Sequence, residues 1–232
     1  MTETDNAATE KLELIMGREG LARLAASTVM VLGVGGVGSN CVEALARGGV
    51  GRLVVVDHDV VQASNINRQA IAFRSTIGRK KVDVARAMVA DINPSAQVEA
   101  LDRFVLAEDV PDFLGAYAGR VDFFIDAIDT ISAKLAVAQY ADAEGLRLIS
   151  SMGAANKLRP DCFRFADVYG TVNCPLCRIT VSYTHLDVYK RQPAGHMRYD
   201  GRTPPSHERT RALSASQAPP RRCRLANSRR RW

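Results

Sequence analysis

Short apolar runs alternate with stretches of helical periodicity along most of the chain. A continuous apolar run is typical of a strand buried on both faces, and an apolar stripe of period 3.6 is typical of a helix packed on a sheet. A first strand is predicted at 29–32 and a second strand that ends at Asp57. Further strands are predicted at 97–101, 121–127, 146–150 and 161–168. Helices are predicted as two short segments in 12–26, and at 39–47, 77–92, 106–118 and 132–144. The alternation predicts an α/β fold with a doubly wound, mostly parallel sheet.

The helix predicted at 77–92 has the clearest amphipathic pattern. Its apolar side chains are expected to face the sheet and its charged side chains, Lys81 among them, to face solvent. Arg79, Lys80 and Lys81 stand at its N-terminal end, where the helix dipole disfavours cations. Such a run usually marks a solvated face, but its unfavourable position also indicates a neighbouring phosphate.

A glycine turn follows the first strand, in the pattern Gly-x-Gly-Gly-x-Gly formed by Gly33, Gly35, Gly36 and Gly38. Glycine permits a tight turn and lets a phosphate approach the backbone amides, and the following helix offers its positive end to an anion. Asp57 closes the next strand, 19 residues after Gly38, where an acid that bonds a ribose hydroxyl is expected. This context predicts nucleotide binding. The alternative is a tight strand–helix turn that binds nothing.

A polar cluster, Asn65-Ile-Asn67-Arg68-Gln69, lies just after the strand that ends in Asp57. Two amides and a permanently charged guanidinium fork suit a polyphosphate. The alternative is a solvated loop with Asx turns. The position beside the nucleotide strand favours the polyphosphate interpretation.

Two acids, Asp126 and Asp129, stand at the carboxyl end of the strand predicted at 121–127. Ligands of open α/β sheets bind at that edge. Asp129 could hold Mg²⁺, which takes few carboxylate ligands and leaves room for phosphate oxygens. Either acid could instead cap the helix at 132–144, and the spacing leaves both interpretations open.

The charge of the chain is unevenly distributed over its 232 residues. Residues 1–180 hold 19 basic and 22 acidic side chains, a net charge of −3, whereas 181–232 hold 12 and 3, a net charge of +9. The overall +6 therefore belongs to the C-terminal segment, and it supports no inference about nucleic-acid binding in either direction. Local basic patches on the globular part stay open as an alternative.

The composition changes after about Thr180, and residues 193–232 are rich in arginine, proline and serine and have no apolar period. One interpretation is a disordered basic tail. The favoured interpretation is a sequencing artefact. Residues 181–192 look like the translation of an adaptor sequence of the kind found in assembled sequence data, and the residues after them look like an out-of-frame translation. We therefore expect one domain in 1–180, truncated at its C-terminus.

The five cysteines form no disulfide framework, and the polar N-terminus is no secretory signal. With no apolar run near the length of a membrane span, these features predict a cytoplasmic protein with reduced thiols and no membrane partner. Cys174 and Cys177 are spaced like a zinc-binding pair, but zinc needs four ligands. Two ordinary thiols are favoured, and a redox pair stays open.

Taken together, these motifs resemble the ubiquitin-activating-enzyme-like adenylyltransferase superfamily, which includes the ThiF, MoeB and HesA proteins. The similarity covers about residues 10–179 and rests on the glycine turn, Asp57-His-Asp59, the Asn65–Gln69 cluster, Lys81 and Asp126-Ala-Ile-Asp129. Within this superfamily, the segments around Glu43, Asn65 and Met152 look most like the tRNA threonylcarbamoyladenosine dehydratase branch.

The resemblance implies a role for each motif. It implies that the glycines of the turn, Gly33 included, hold the nucleotide backbone and that Asp57 and Asp59 belong to the nucleotide site, with Asp57 on the ribose of ATP. It further implies that Asn65, Arg68 and Lys81 contact the triphosphate and that Asp129 binds Mg²⁺. Arg68, Lys81 and Asp129 would carry the catalysis.

In that branch, the resemblance implies, ATP activates the carboxylate of threonylcarbamoyladenosine in tRNA, and ring closure expels AMP. The alternative is an adenylyltransferase for the C-terminal glycine of a sulfur-carrier protein, with that carrier or a cysteine-desulfurase system as partner. A nicotinamide-dependent oxidoreductase and a folded but inactive fragment are further hypotheses. Relatives are commonly homodimers in which an N-terminal arginine reaches the partner's site. Lys11 stands at that position here, with Arg18 nearby.

Overall fold

The structure, a computed structural model, describes residues 3–153, 163–166, 176–178 and 210–215. Its helices are α1 (Glu3–Ala26), α2 (Gly38–Arg47), α3 (Lys81–Ile92), α4 (Val110–Gly115) and α5 (Ile131–Ala143). Its strands are β1 (Thr28–Leu32), β2 (Arg52–Asp57), β3 (Gln97–Asp102), β4 (Phe123–Asp126), β5 (Leu148–Ser151), β6 (Phe163–Ala166) and β7 (Thr210–Ala215). Two single-turn 3₁₀ helices, Ala63–Asn65 and Arg74–Thr76, interrupt the connection from β2 to α3.

The strands form one sheet in the order β3-β2-β1-β4-β5-β7-β6. The first five strands are parallel, which confirms the predicted mostly parallel sheet. After β3 the chain crosses to the other side of β1 to form β4, so the strand order reverses between β1 and β4. In open α/β sheets such a reversal opens a crevice at the carboxyl ends of the strands.

Alternate side chains of β1 enter two different cores, because successive residues of a strand point to opposite faces. Val29 and Val31 pack with side chains of α2 and α3, whereas Met30 and Leu32 pack with those of α4 and α5. A continuous apolar strand is required by this arrangement, since helices cover both faces of the sheet. The predicted doubly wound architecture is thereby confirmed.

The strand predicted at 161–168 is present as β6, which pairs antiparallel with β7. β7 in turn pairs parallel with β5 and lies inside the segment 181–232. The rest of that segment lies outside the described residues, and so does Cys174. The predictions for the segment and for a metal at the cysteine pair therefore stay predictions.

Several helix boundaries differ from the predicted ones. α4 spans Val110–Gly115 rather than 106–118, and its first turn holds Pro111, a residue favoured at that position. α3 begins at Lys81 rather than at residue 77, because Gly78 has φ +84° and Lys80 is extended. The two helices predicted in 12–26 are present, because α1 consists of two helical segments that join at a non-helical Gly17 (φ +69°). The first segment begins at Glu3 rather than at residue 12, and Gly20 does not interrupt the second. Within the described part of the chain, no helix combines the length and apolarity that crossing a bilayer requires.

Tyr117 closes the core on the α4 side of the sheet. Its side chain is 8% exposed, and its hydroxyl donates a hydrogen bond of 2.6 Å to Glu99 Oε1 on β3. Burial first, then this bond and the glutamate's charge, raise the pKa of Tyr117 from 10.0 to about 12. A buried tyrosinate beside a carboxylate would cost free energy, so the folded chain holds the hydroxyl protonated.

This shift predicts alkaline sensitivity of the free energy of unfolding. A raised folded-state pKa contributes stability in full below the unfolded pKa of 10, and that stability is lost as pH rises towards about 12. The loss should be on the order of 2 kcal/mol, and Tyr117→Phe should remove most of this pH dependence. Urea unfolding of both proteins between pH 9 and 12 measures it. Equal losses in the two proteins would contradict the assignment.

Candidate functional site

A cleft of about 740 Å³ opens at the carboxyl edge of β1, β2 and β4, where the strand order reverses. Nine of the predicted site residues line it: Gly33, Gly35, Gly36, Asp57, Asp59, Asn65, Arg68, Lys81 and Asp129. Residues that are far apart in the sequence therefore meet at one edge of the sheet.

The glycine turn closes the base of the cleft through backbone contact. A Cβ at Gly38 would lie 1.8 Å from the carbonyl oxygen of Gly33, so α2 packs directly on the end of β1. A Cβ at Gly33, which has φ +88°, would lie 2.8 Å from the carbonyl oxygen of Ala127. Gly38 has a packing role and is not among the residues that line the cleft, and its implied nucleotide contact stays a prediction.

Gly35 and Gly36 form the exposed part of the turn. Among the described residues, the amides of Gly35, Gly36 and Val37 donate no hydrogen bond. The first turn of α2 carries no acidic side chain, and its dipole favours an anion at this end. These amides are therefore available as donors to phosphate oxygens.

Asp57 is anchored at the end of β2 by two backbone amides. Its Oδ2 accepts a hydrogen bond from Val34 N at 2.7 Å, and its Oδ1 accepts one from Asp59 N at 2.8 Å. Each carboxylate oxygen retains a second lone pair for a ligand hydroxyl. The bond to Val34 also ties the acid to the glycine turn.

Lys81 is buried in the cleft wall, and the prediction that it faces solvent is wrong. It is 5% exposed, and its Nζ lies 2.7 Å from Asp59 Oδ2 and 3.9 Å from Asp57 Oδ1. The hydrogen bond from Lys81 lowers the pKa of Asp59. Because Lys81 N also donates to the carbonyl oxygen of Asp59, the first turn of α3 is held against the end of β2 and cannot expose this side chain.

The Asn65–Gln69 cluster forms an ordered turn beside the glycine turn. Asn65 shapes it, since its Oδ1 accepts from Gln62 N at 2.9 Å and its carbonyl oxygen accepts from the amides of Arg68 and Gln69. The Arg68 side chain lies over Gly36, where a Cβ would be 3.3 Å from Arg68 Cγ. The sequence cluster is therefore a built part of the site.

The side-chain oxygen Oε1 of Gln69 is buried and has no hydrogen-bond partner among the described residues. Within that part of the chain, it is the one buried side-chain oxygen or nitrogen in this situation. The residue is 6% exposed and lines the cleft. A buried carbonyl without a partner is unfavourable, so a ligand that supplied a donor would relieve it.

The two acids after β4 have different environments. Asp129 is exposed and lines the cleft, where its carboxylate could hold a cation. Asp126 is fully buried and bonds Lys134 Nζ at 2.6 Å and Ser150 Oγ at 2.5 Å. The N-cap of α5 is Thr130, and no side chain caps that end, so neither acid caps the helix.

Sequence reasoning missed Lys134, Ser150 and a further wall of the cleft formed by Arg103, Phe104 and Val105. The signal for Lys134 was a lysine inside an apolar helical stripe, shortly after two aspartates. The sequence held no comparable signal for Arg103, Phe104 and Val105. They follow β3 in the chain and reach the cleft only because β3 ends beside it in the folded sheet.

Three ligand groups for a metal stand together at the end of β2. One ligand atom each from Asp57, His58 and Asp59 lies within 4.8 Å of the others. The His58 ring also meets Phe104 edge-on, with the ring centroids 4.4 Å apart. Asp129 is therefore not the sole group at the cleft that could hold a cation.

Lys11 and Arg18, the candidates for an N-terminal cation that reaches a partner subunit, do not line the cleft. Both lie on α1 and are exposed, and Arg18 pairs with Glu13 at 2.7 Å. Their implied role in a partner's site stays a prediction.

Comparison with known proteins identifies relatives. A family model described as the ThiF family matches residues 8–190. The tRNA threonylcarbamoyladenosine dehydratase of Bacillus subtilis is 47% identical over 167 residues, which cover 72% of this chain and 65% of that protein. The SAMP-activating enzyme E1 of Haloferax volcanii is 36% identical over 156 residues, which cover 64% of this chain and 56% of that protein.

The solved structures include a similar fold. The crystal structure of E. coli tRNA N6-threonylcarbamoyladenosine dehydratase, TcdA, in complex with ATP matches with a TM-score of 0.80 and 25% identity. The match covers 94% of this chain and 84% of that chain. The chain spans less than two thirds of the length of either sequence relative.

The glycine contacts predict a sharp contrast between two substitutions in one turn. Gly38→Ala should unfold the chain or cost more than about 3 kcal/mol, because its Cβ would overlap the Gly33 carbonyl. Gly35→Ala should stay within about 1 kcal/mol of the wild type, since nothing lies within 4 Å of its Cβ. Thermal unfolding of both variants measures this, and equal stability of the two would contradict the packing assigned to Gly38.

Proposed function

The chain belongs to the ThiF family, and on that premise we propose that its cleft binds ATP with Mg²⁺ and activates a carboxylate as an acyl adenylate. The proposed substrate is threonylcarbamoyladenosine in tRNA, whose ring closure then releases AMP. The observation that carries the proposal is the gathering of Arg68, Lys81 and Asp129 around one glycine turn at the carboxyl edge of the sheet. Residues 1–180 are proposed to form this adenylating domain.

The cleft fits a nucleoside triphosphate by volume and by chemistry. Its 740 Å³ falls in the range of small-molecule sites. The amides of Gly35, Gly36 and Val37 are donors for phosphate oxygens, and Gln69 Oε1 is an acceptor for a ligand donor. A site for a nicotinamide dinucleotide would give no comparable reason for Arg68, Lys81 and Asp129 to converge. We therefore favour ATP over a nicotinamide dinucleotide as the ligand of the cleft.

The proposed roles follow from charge. Asp57, which is held by two amides, would accept hydrogen bonds from the ribose hydroxyls. Lys81 would exchange its bond to Asp59 for phosphate oxygens, and Arg68 would add a second, planar cation. Asp129 would hold Mg²⁺, which supplies charge neutralisation to the phosphates when bound. Positioning and neutralisation together stabilise the charge that develops as pyrophosphate leaves.

The tRNA substrate is supported by the names of the Bacillus subtilis and E. coli relatives. A protein carrier is the second candidate, supported by the name of the Haloferax volcanii enzyme, which is less similar to this chain. A homodimer, implied by the resemblance, remains part of the proposal.

Two neighbouring lysines offer a matched test of nucleotide binding. Lys81→Met should weaken Mg·ATP binding by about tenfold or more, because it removes a buried cation from the cleft. Lys80→Met should change it less than about twofold, because Lys80 pairs with Asp102 and does not line the cleft. Calorimetric titration with ATP, and separately with NAD, provides both constants. Binding of NAD without ATP would overturn the proposal.

The two candidate substrates predict different requirements for turnover. The tRNA hypothesis predicts AMP release that needs tRNA carrying threonylcarbamoyladenosine and stops when EDTA removes Mg²⁺. Unmodified tRNA serves as the control. Exchange of pyrophosphate into ATP that depends on a carrier protein, with no response to tRNA, would instead favour the second candidate.

A further inference from the structure

A fully buried ion pair lies directly behind the cleft wall, outside the roles assigned so far. Lys134 on α5 and Asp126 at the end of β4 are each 0% exposed, and Lys134 Nζ lies 2.6 Å from Asp126 Oδ2. Ser150 on β5 joins them, donating to Asp126 Oδ2 at 2.5 Å and accepting from Lys134 Nζ at 3.2 Å. Three elements therefore share one polar cluster inside the core.

Among the described residues, the side chains of the cluster make two hydrogen bonds to backbone groups, and both groups belong to the cleft wall. Asp126 Oδ1 accepts from the amide of Ile128 at 3.0 Å, and Lys134 Nζ donates to the carbonyl oxygen of Ser151 at 3.0 Å. Residues 127–130 form one part of the wall and residues 151–153 another. The pair thus bonds to both segments at once, and Asp129 follows directly after the anchored Ile128.

Stability alone gives a weak reason for such a pair. Removing two charges from water is costly, and apolar side chains of similar volume often replace a buried pair without loss of stability. The surrounding core is apolar, with Ala133 and Val137 of α5 fully buried beside Lys134. What apolar side chains could not reproduce is the pair of directional bonds to the two wall segments.

We propose that Asp126 and Lys134 are positioning residues whose buried pair fixes the 127–130 segment against the 151–153 segment and thereby orients Asp129 towards Mg·ATP. The inference rests on the proposed function, because it takes Mg·ATP as the ligand. It assigns no chemical step to either residue. Mutation of a residue that orients a metal ligand without touching the metal typically weakens metal binding by about 10- to 100-fold.

The test compares variants in which fold stability and the wall contacts are changed separately. Lys134→Met leaves a buried carboxylate unpaired and should lower Tm by roughly 10 °C. The double variant Asp126→Leu with Lys134→Met replaces the pair by apolar side chains and should recover Tm to within about 3 °C of the wild type. In the double variant Mg·ATP binding should nevertheless be weaker by about tenfold or more.

Two controls separate positioning from stability. Val137→Ala, on the same helix and away from the cleft, should lower Tm by about 3 to 6 °C and leave Mg·ATP affinity within about twofold. Asp126→Asn with Lys134→Met keeps an acceptor for the Ile128 amide but loses the bond to Ser151, so its Mg·ATP affinity should lie between those of the wild type and the Asp126→Leu, Lys134→Met variant.

The decisive readout is the ratio of the ATP dissociation constants without and with Mg²⁺, which a purely structural role would not move. This ratio should shrink in the Asp126→Leu, Lys134→Met variant and stay unchanged in Val137→Ala. Wild-type affinity and an unchanged ratio in the double variant would overturn this inference alone. So would a loss of affinity in Val137→Ala that matches its loss of Tm. A wild-type chain that binds no ATP would remove the proposed function, and this inference with it.

Discussion

Contact between two backbones, at Gly33 and Gly38, is the constraint on which the cleft depends. Because a Cβ at Gly38 would lie only 1.8 Å from the Gly33 carbonyl oxygen, no side chain fits between the end of β1 and the start of α2. The contact points the positive end of α2 at the carboxyl edge of the sheet. It also leaves Gly35 and Gly36 as the exposed part of the turn, with Arg68 lying over Gly36. The site is built outward from this contact.

Two buried lysines, Lys81 and Lys134, lie near the same edge of the sheet. They differ in the solvent exposure of the carboxylates that they pair with, and this difference determines whether each lysine can exchange its partner for a ligand. Lys81 pairs with Asp59, whose side chain is 51% exposed, so water can solvate the carboxylate when a ligand takes the lysine. Lys134 pairs with Asp126, which water does not reach, so breaking that pair would strand a charge in the core. The first pair is suited to exchange with a ligand and the second to permanent support of the wall.

Most of the fold could be predicted from the sequence because its signals are local. The apolar runs of β1 and β2 require two covered faces, and the glycine spacing with Asp57 requires a strand–turn–helix–strand unit. The predicted start of α3 failed, since its side-chain pattern extends through Gly78, whose positive φ ends the helical path. The prediction that Lys81 faces solvent was wrong for a related reason. Periodicity assigns a side chain to one face of a helix, but it says nothing about the loop that packs against that face.

By itself, the sequence determined the α/β class, the order of strands and helices through β6, the glycine turn and most of the polar residues that reach the cleft. These features follow from periodicity and from the conformational demands of glycine, which act over a few residues. Only the tertiary structure decided the partners: Lys81 with Asp59, Lys134 with Asp126 and Ser150, and Phe104 beside His58. Such pairs join segments that are distant in the chain, so burial and charge pairing are set only when the sheet brings its strand ends together.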